Sequence, residues 1–349
     1  MSSGSASISS QGQQDDGAQL EVYSIDHSKY KNGSYKLITA VDPMDATRKT
    51  KVNTVQFDWP HSSFSIHVKH TRSVGIRLNG EDNYFNIFVD VQFTCILRAT
   101  VEASCYNVAQ FYNDAEHTIT ISKRTEPQMC GTLSTFKVCT FYGFIVDEAA
   151  VVLPYVSPYT HRMEFIGDSE TCGYGNEGAG SSSNGIVGMK GRFENVYNCY
   201  ACITARMFNA EAHILAWSGY KRQHDCISRF PWDMDAWQPE VVVVNLGTQD
   251  LFPPASSKDE IVEAYTALLK DIRMYRPDAH IFCVVCDENC ISGKEDHENR
   301  RRISLQLQVI IRVAMSKVKT DSRMHNVFIK ADSSRVTSPT CATTRSVGI

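Results

Sequence analysis

The chain has 349 residues, and 42% of them are hydrophobic and 10% aromatic, which is enough material for packed cores. This length predicts two domains. The formal net charge of −4 is too small to indicate a nucleic-acid partner or an anionic membrane surface. No run approaches the roughly 20 apolar residues that cross a bilayer, so we expect neither nucleic acid nor a membrane among the partners.

The first segment, residues 1–19, is rich in Ser, Gln and Gly and contains no apolar stretch. It is typical of a disordered tail and not of a signal peptide, so we expect a cytoplasmic protein. The 12 cysteines are then expected to be reduced, buried side chains that pack as small hydrophobes. The alternative is a secreted, disulfide-bearing protein, if the amino terminus is incomplete.

Residues 20–155 predict an all-β domain. Apolar residues alternate with polar ones, as at Phe64 and Ile66, and turn sequences such as Asn79-Gly80 separate the runs. A period of two marks half-buried antiparallel strands. We therefore expect a β-sandwich or jelly roll, without a long helix inside residues 55–125.

The pattern changes in residues 160–330, where strands alternate with helices. Ser257-x-x-Glu260 is a capping box that begins a helix, and a strand at 280–286, a second long helix and a strand at 326–329 follow it. Such alternation builds a parallel sheet of about five strands with helices on both faces, an α/β/α fold. Residues 331–349 are rich in Ser and Thr and are expected to form an irregular tail.

Three polar segments follow three of the predicted strands. They are Gly167-Asp168-Ser169, Trp217-Ser218-Gly219 and Gly247-Thr248-Gln249-Asp250, after strands at 163–166, 214–216 and 241–246. Sites in parallel α/β sheets lie at the carboxyl ends of strands. We therefore expect the three segments to meet at one edge of the sheet.

A serine, a glycine and a side-chain amide at such strand ends are the parts of an acyl-transfer site. Ser169 is the candidate nucleophile, exposed in a strand-to-loop turn, and its N–H is the first candidate oxyanion donor. Gly219 is the second candidate donor, because glycine permits close approach of a substrate. Gln249 is the third, through its side-chain amide. Taken alone, each segment is also compatible with an ordinary turn.

Two further patterns have simpler explanations. Asp58-Trp59-Pro60-His61 contains an Asp-x-x-His pattern, but a histidine from the β domain would have to reach across domains. Residues 173–178 have the glycine spacing of a dinucleotide-binding loop, but the next predicted helix begins only near Glu194, so a flexible active-site loop is expected instead. The histidines form no metal-binding pattern, and we expect no metal or other cofactor.

The order of these segments resembles the SGNH (GDSL-type) hydrolases, and more narrowly carbohydrate esterase family 2, the two-domain acetyl esterases. The block 162–175 carries most of the resemblance, and blocks 57–59, 83–90 and 117–126 of the β domain add to it. The resemblance implies an N-terminal jelly roll and a C-terminal SGNH hydrolase domain. It also implies hydrolysis of O-acetyl esters on an acetylated carbohydrate, without a cofactor.

The sequence departs from the family at two catalytic positions. The family has Asn where this chain has Gln249, whose amide is one methylene further from the backbone. The family also supplies Asp-Trp-His after its last strand, where this chain reads Ala331-Asp332-Ser333-Ser334-Arg335 and has no histidine beyond His325. His325 precedes the predicted strand at 326–329 and is expected at the wrong end of the sheet. The general base is therefore unidentified.

The resulting prediction is a serine esterase of SGNH type that removes O-acetyl groups from carbohydrates and is impaired by the missing histidine. One alternative is a catalytically inactive relative that acts as a glycan- or protein-binding module. Two others are an active esterase with a relocated base and an aberrant carboxyl terminus on a normal enzyme. No pattern in the sequence identifies the sugar, the linkage or the acyl group.

Overall fold

The structure, a computed structural model, describes most of both predicted domains. The described residues are 21–22, 35–38, 54–127, 129–130, 135–136, 138–178, 191–219, 237–252, 256–288, 296–318 and 321–330. The predicted tails at 1–19 and 331–349 lie outside them. No helix in these ranges is both long and apolar enough to cross a membrane.

The first domain consists of short strands. They are β1 (Glu21–Val22), β2 (Tyr35–Ile38), β3 (Val55–Phe57), β4 (Ser63–Lys69), β5 (Ser73–Asn79), β6 (Tyr84–Val89), β7 (Gln92–Arg98), β8 (Ser104–Gln110), β9 (His117–Lys123), β10 (Met129–Cys130), β11 (Thr135–Phe136), β12 (Cys139–Asp147) and β13 (Val151–Leu153). One sheet has the order β1-β7-β6-β9-β4-β13, and a second has β2-β12-β5-β8 with β3 paired to β12. The prediction of an all-β domain is confirmed, and residues 55–125 contain no helix.

Alternating side chains fill the space between the two sheets. In β4 every second residue is buried, beginning with Phe64, as the period of two predicts. Phe64 stacks on Phe141 of β12 in the other sheet, with ring centroids 4.2 Å apart. Such stacking adds to the burial of apolar area that holds the sandwich together.

The second domain is a parallel sheet with helices. Its elements are β14 (His161–Gly167), α1 (Ser169–Cys172), α2 (Tyr200–Met207), β15 (Ala210–Ala216), β16 (Val241–Asn245), α3 (Lys258–Tyr275), β17 (His280–Cys286), α4 (His297–Lys317) and β18 (Met324–Ile329), with 3-10 turns at Gly191–Phe193, Val196–Asn198 and Gln249–Leu251. The strand order is β15-β14-β16-β17-β18, and every pairing is parallel. The predicted five-stranded parallel sheet is confirmed.

The sheet is covered on both faces. Val242 and Val244 of β16 belong to the core beneath α3 and α4, whereas Val243 belongs to the core beneath α1 and α2. This alternation explains why β16 is a continuous apolar run, since a strand buried on both faces has no polar side. The α/β/α architecture follows from it.

Three strands begin earlier than the sequence predicts. β14 begins at His161, β15 at Ala210 and β18 at Met324. His325 therefore lies within the last strand and not before it. The predicted domain limits, 20–155 and 160–330, stay predictions, and the interval between them lies between β13 and β14.

Candidate active site

Ser169 follows β14 directly, at the carboxyl end of the sheet. It begins the one-turn helix α1, so the predicted strand-to-loop turn is wrong in detail. Asp168 caps this helix, because its carboxylate accepts a hydrogen bond from the Glu170 N–H at 3.4 Å. At Gly167 a Cβ would collide with the Thr171 hydroxyl, so the approach of strand to helix requires glycine.

The helix that carries Ser169 is anchored from behind by α2. The Thr171 hydroxyl lies 2.9 Å from the hydroxyl of the half-buried Tyr200. The Cys199 thiol donates to the Thr171 carbonyl at 3.1 Å. Gly173 ends α1 in the left-handed conformation, with φ of 74°. These contacts hold the half-buried Ser169 at a defined position.

Gly219 lies in the turn after β15, the strand beside β14. The Trp217 N–H donates to the Gly167 carbonyl at 3.4 Å, which joins this turn to the end of β14. Gly219 is exposed and has φ of 72°, and no described atom lies within 4 Å of where its Cβ would be. The positive φ is therefore the structural reason for glycine here.

Gln249 lies beyond β16, the strand on the other side of β14. It begins the 3-10 turn Gln249–Leu251 and is half-buried. Gly247 before it has φ of 106°, and a Cβ there would lie 2.7 Å from a methyl carbon of Leu307. Gly167 of β14 pairs with Asn245 of β16, so the turn containing Gln249 begins level with the end of β14.

The three candidate residues therefore follow three adjacent strands. Gly167 pairs with Ala216 on one side and with Asn245 on the other, so all three turns leave the same edge of the sheet. This is the edge where sites of parallel α/β sheets lie. The convergence of the Ser169 and Gly219 N–H groups and the Gln249 amide on one point stays a prediction, as do their catalytic roles.

Two carboxyl groups lie beneath this edge. Asp168 and Asp250 are both buried, with 5% and 1% of their surfaces exposed. Burial raises the pKa of Asp168 to about 7, and the charge of Asp250 adds to the rise, although backbone N–H groups oppose it. A neutral Asp168 is thus accessible near neutral pH.

The β domain contributes a buried charged segment that the sequence analysis did not single out. Arg124 is fully buried; its guanidinium forms an ion pair with Glu177, donates to Asn86 Oδ1 at 2.8 Å and donates to the Glu194 carbonyl at 3.2 Å. Glu126, two residues later, accepts a hydrogen bond from the Ser218 N–H at 2.5 Å. The signal available in the sequence was the charged run Lys-Arg-Thr-Glu, which begins at the last residue of β9.

The segment at 173–178 is tied to the same network. The Asn176 amide donates to the Asn195 carbonyl at 2.8 Å, and the Asn195 N–H donates back to Asn176 Oδ1 at 3.0 Å. Glu177 accepts from Asn198 Nδ2 at 3.1 Å and pairs with Arg124. The expected flexible loop is therefore hydrogen-bonded where it is described.

Within the described part of the chain, no histidine is hydrogen-bonded to the Ser169 hydroxyl. His325 lies 3.1 Å from His280 and stacks on Phe282, with centroids 4.6 Å apart. These residues belong to the amino-terminal halves of β17 and β18, away from the carboxyl edge. His325 is therefore excluded as the base by its position.

His61 is also engaged elsewhere. Its Nδ1 lies 3.2 Å from the Ser122 hydroxyl within the β domain. Burial, together with the charge of Arg206 at the end of α2, lowers the pKa of His61 to about 4. The contacts of His61 are therefore with Ser122 and with the Lys123 carbonyl, which accepts from its N–H at 3.0 Å.

Two family models match the chain. The model described as GDSL-like lipase/acylhydrolase family matches residues 165–321, and the model described as carbohydrate esterase 2 N-terminal matches residues 47–155. The chain therefore contains a carbohydrate esterase 2 N-terminal domain, which is the β domain, and a GDSL-like lipase/acylhydrolase domain, which is the α/β/α domain.

Curated relatives of this chain carry esterase names. Cellulase/esterase CelE of Acetivibrio thermocellus is 33% identical over 245 residues, which cover 65% of this chain and 28% of CelE. An acetylxylan esterase / glucomannan deacetylase of Cellvibrio japonicus is 26% identical over 234 residues, covering 62% of this chain and 61% of that protein. The chain thus spans less than two thirds of the length of these relatives.

Solved structures of family-2 esterases share the two-domain fold. A Clostridium thermocellum family two carbohydrate esterase, solved in complex with cellohexaose, has a TM-score of 0.66 and 26% identity, over 79% of this chain and 85% of that chain. A family two enzyme from Cellvibrio japonicus has a TM-score of 0.70 at 17% identity, over 85% and 89%.

Proposed function

We propose that this chain hydrolyses O-acetyl esters of carbohydrates through Ser169, and that it does so slowly. The observation that supports the reaction is the placement of Ser169, Gly219 and Gln249 after three adjacent strands, at one edge of the sheet. The observation that supports the low rate is the sequence after β18, which contains no histidine. The relatives named for acetylxylan and glucomannan support the choice of substrate class.

The chemistry follows from the residues in place. The Ser169 oxygen attacks the acetyl carbonyl, a C–O bond forms, and the carbonyl electron pair moves to oxygen. The N–H groups of Ser169 and Gly219 and the amide of Gln249 donate to this oxyanion. Collapse of the tetrahedral intermediate expels the sugar alkoxide, which takes up a proton, and water then hydrolyses the acetyl-serine.

The proton of the Ser169 hydroxyl limits the rate. Serine is a weak nucleophile without a base that accepts this proton. In subtilisin, loss of the catalytic histidine costs about 10⁶ in turnover and leaves roughly 10³–10⁴ over water from the oxyanion hole and binding. We therefore expect turnover below about 1 s⁻¹, and we expect Ser169→Ala to remove it, because the acetyl-serine can no longer form.

The test is acetate release from 4-nitrophenyl acetate and from acetylated xylan by the purified chain and its Ser169→Ala variant. The proposal expects a slow rate above the buffer rate that Ser169→Ala removes, and a slow rate that the substitution leaves unchanged would exclude Ser169 as the nucleophile. A turnover above about 1 s⁻¹ that Ser169→Ala abolishes would overturn the slow-rate part and show that another group acts as the base. A rate equal to that of buffer would overturn the hydrolysis.

A second candidate function is binding of acetylated glycans without turnover. The missing histidine favours it, since a serine and its donors without a base retain the capacity to bind an acetyl group. One structural neighbour is described as having an active site with divergent catalytic and non-catalytic binding functions. Calorimetric titration with acetylated xylo-oligosaccharides distinguishes the two: binding without acetate release supports the binding module.

A further inference from the structure

We propose that Glu126, contributed by the β domain, positions the oxyanion hole of the GDSL-like domain by holding the turn that carries Gly219. This inference rests on the proposed function of that site. Glu126 is 6% exposed and reaches across the domain boundary to the turn after β15. It acts through the backbone of Ser218 and is therefore a positioning residue.

One carboxylate oxygen joins the two halves of the candidate site. Glu126 Oε2 accepts from the Ser218 N–H at 2.5 Å and from the Cys172 thiol at 3.3 Å. Cys172 lies in α1, and its sulfur is also 3.4 Å from the Ser169 carbonyl. The turn that carries Gly219 and the helix that carries Ser169 therefore share a single acceptor.

The backbone of Glu126 is itself held by hydrogen bonds at its N–H and its carbonyl. Its N–H donates to Glu194 Oε2 at 2.9 Å, and its carbonyl accepts from the buried Lys123 ammonium at 2.9 Å. Lys123 also donates to the Thr125 carbonyl at 2.5 Å. With the backbone fixed in this way, the carboxylate presents its oxygen to Ser218 at a defined point.

Hydrogen bonds and a nearby positive charge offset the cost of burying the Glu126 carboxyl group. Burial raises the pKa of Glu126, while hydrogen bonds from Ser218 and Cys172 and the charge of Lys123 act in the opposite direction. A buried carboxyl group is expensive unless it is hydrogen-bonded, and here the partners are groups of the site. Gly219 has a positive φ and is exposed, so the turn depends on such an external contact for its geometry.

The position of the turn matters because oxyanion donors act only within a narrow range of distance, about 2.7–3.1 Å from the oxyanion. A turn released from Glu126 moves the Gly219 N–H out of this range for part of the time. The transition state then loses stabilisation, but binding of the uncharged ester changes little. Catalytic positioning therefore predicts a loss in kcat with KM retained, whereas a general structural role predicts loss of folded protein.

The experiment compares Glu126→Ala and Glu126→Gln with the wild-type chain, with Glu102→Ala as a matched control. Glu102 is an exposed carboxylate of the same domain, far along the chain from the boundary segment. Three quantities are measured: kcat and KM for 4-nitrophenyl acetate, the dissociation constant of phenylboronic acid, and amide hydrogen exchange at residues 217–219. Phenylboronic acid bonds to the serine oxygen, releases a proton to solvent and places a charged oxygen in the hole.

We expect Glu126→Ala to lower kcat about tenfold or more, to leave KM within about twofold and to weaken boronate binding about tenfold. Exchange at residues 217–219 accelerates, and the unfolding midpoint stays close to that of Glu102→Ala. Glu126→Gln retains most of the activity, because its amide oxygen still accepts from Ser218. Unchanged kcat and boronate binding in Glu126→Ala, or equal losses in all three variants, would overturn the proposal.

The two proposals fail in different ways. If the wild-type chain binds boronate but does not hydrolyse the ester, the proposed hydrolysis is wrong. The role of Glu126 is then tested by boronate binding alone. A wild-type chain that does neither has no oxyanion hole to position, and both proposals fall. Ser169→Ala verifies that boronate binding reports on the site, since it removes the oxygen that bonds to boron.

Discussion

At Asp168, burial and not hydrogen bonding decides the protonation state. The side chain caps α1 through one long hydrogen bond of 3.4 Å, while burial and Asp250 raise its pKa from 3.8 to about 7. The folded state therefore binds this proton more tightly than the unfolded state does. The resulting stabilisation is complete below about pH 4 and is lost as the pH rises to about 7, by roughly 4 kcal/mol.

The Asp168→Asn variant tests this linkage. Asparagine keeps the cap and resembles the protonated acid, so it carries no charge at any pH. We expect the unfolding midpoint of the variant to rise relative to wild type between pH 4.5 and 7.5 and to level off above that. A difference that is constant across this range would show that Asp168 titrates normally.

Gln249 is the residue at which the chain departs from the SGNH pattern within the described candidate site. If its amide donates to the oxyanion, Gln249→Ala lowers turnover by roughly 10²–10³. Thr248→Ala is the matched control, because the Thr248 side chain makes no capping hydrogen bond to the same turn. Steady-state kinetics with 4-nitrophenyl acetate decides: unchanged turnover removes Gln249 from the mechanism.

At this scale the sequence predicted some residues and missed others, for a physical reason. The placement of Ser169 and Gly219 after strands could be predicted because a short apolar strand and a turn are local patterns, and their catalytic roles stay predictions. Glu126 and Arg124 were missed because their partners lie far along the chain and in the other domain. A buried charge is recognisable only when the folded chain shows what surrounds it.

Among the elements, β14 and the end of α3 are joined by a buried ion pair, in which Arg276 directly follows the helix. Glu164 and Arg276 are each 1% exposed, with Nη2 to Oε1 at 2.8 Å and Nε to Oε2 at 3.2 Å. Glu164→Gln leaves the guanidinium without its carboxylate, which we expect to lower the free energy of unfolding by about 3–5 kcal/mol.

An exposed pair supplies the control for that prediction. Arg323 and Asp278 lie 3.1 Å apart, but their side chains are 40% and 93% exposed. We expect Asp278→Asn to cost less than about 1 kcal/mol. Urea unfolding of both variants gives the comparison, and equal losses would show that the depth of the buried pair contributes nothing.

The elements themselves were predictable where their periodicity was long. The capping box at Ser257 and Glu260 is confirmed, with both reciprocal hydrogen bonds formed, and it begins the 18-residue helix α3. The four-residue helix α1 was missed, because one turn is too short to show a period of 3.6. The early starts of β14 and β18 were missed as well. β14 begins with the exposed polar residues His161 and Arg162, and β18 begins with Met324 and the polar His325, so neither start shows an apolar run.

At the scale of the whole molecule, the two domains share a buried polar boundary. The Val196 N–H donates to the Arg124 carbonyl at 3.0 Å, and the Arg124 guanidinium contacts Glu177 and the Glu194 carbonyl. Patterning predicted each domain, but not that the β domain supplies groups to the edge of the sheet that holds Ser169. Such a boundary couples the stability of one domain to that of the other.

Replacing Arg124 with methionine tests this coupling. The substitution keeps much of the side-chain volume but leaves Glu177 and Asn86 without the guanidinium, so we expect a loss of about 3–5 kcal/mol and separate unfolding of the two domains. Differential scanning calorimetry should show one transition for wild type and two for Arg124→Met. Arg98→Met, which removes a half-exposed pair with Asp82, should keep a single transition within about 1 kcal/mol of wild type. A single transition in Arg124→Met would mean that the boundary couples the domains through other contacts. In that case the position of Glu126 would not depend on Arg124.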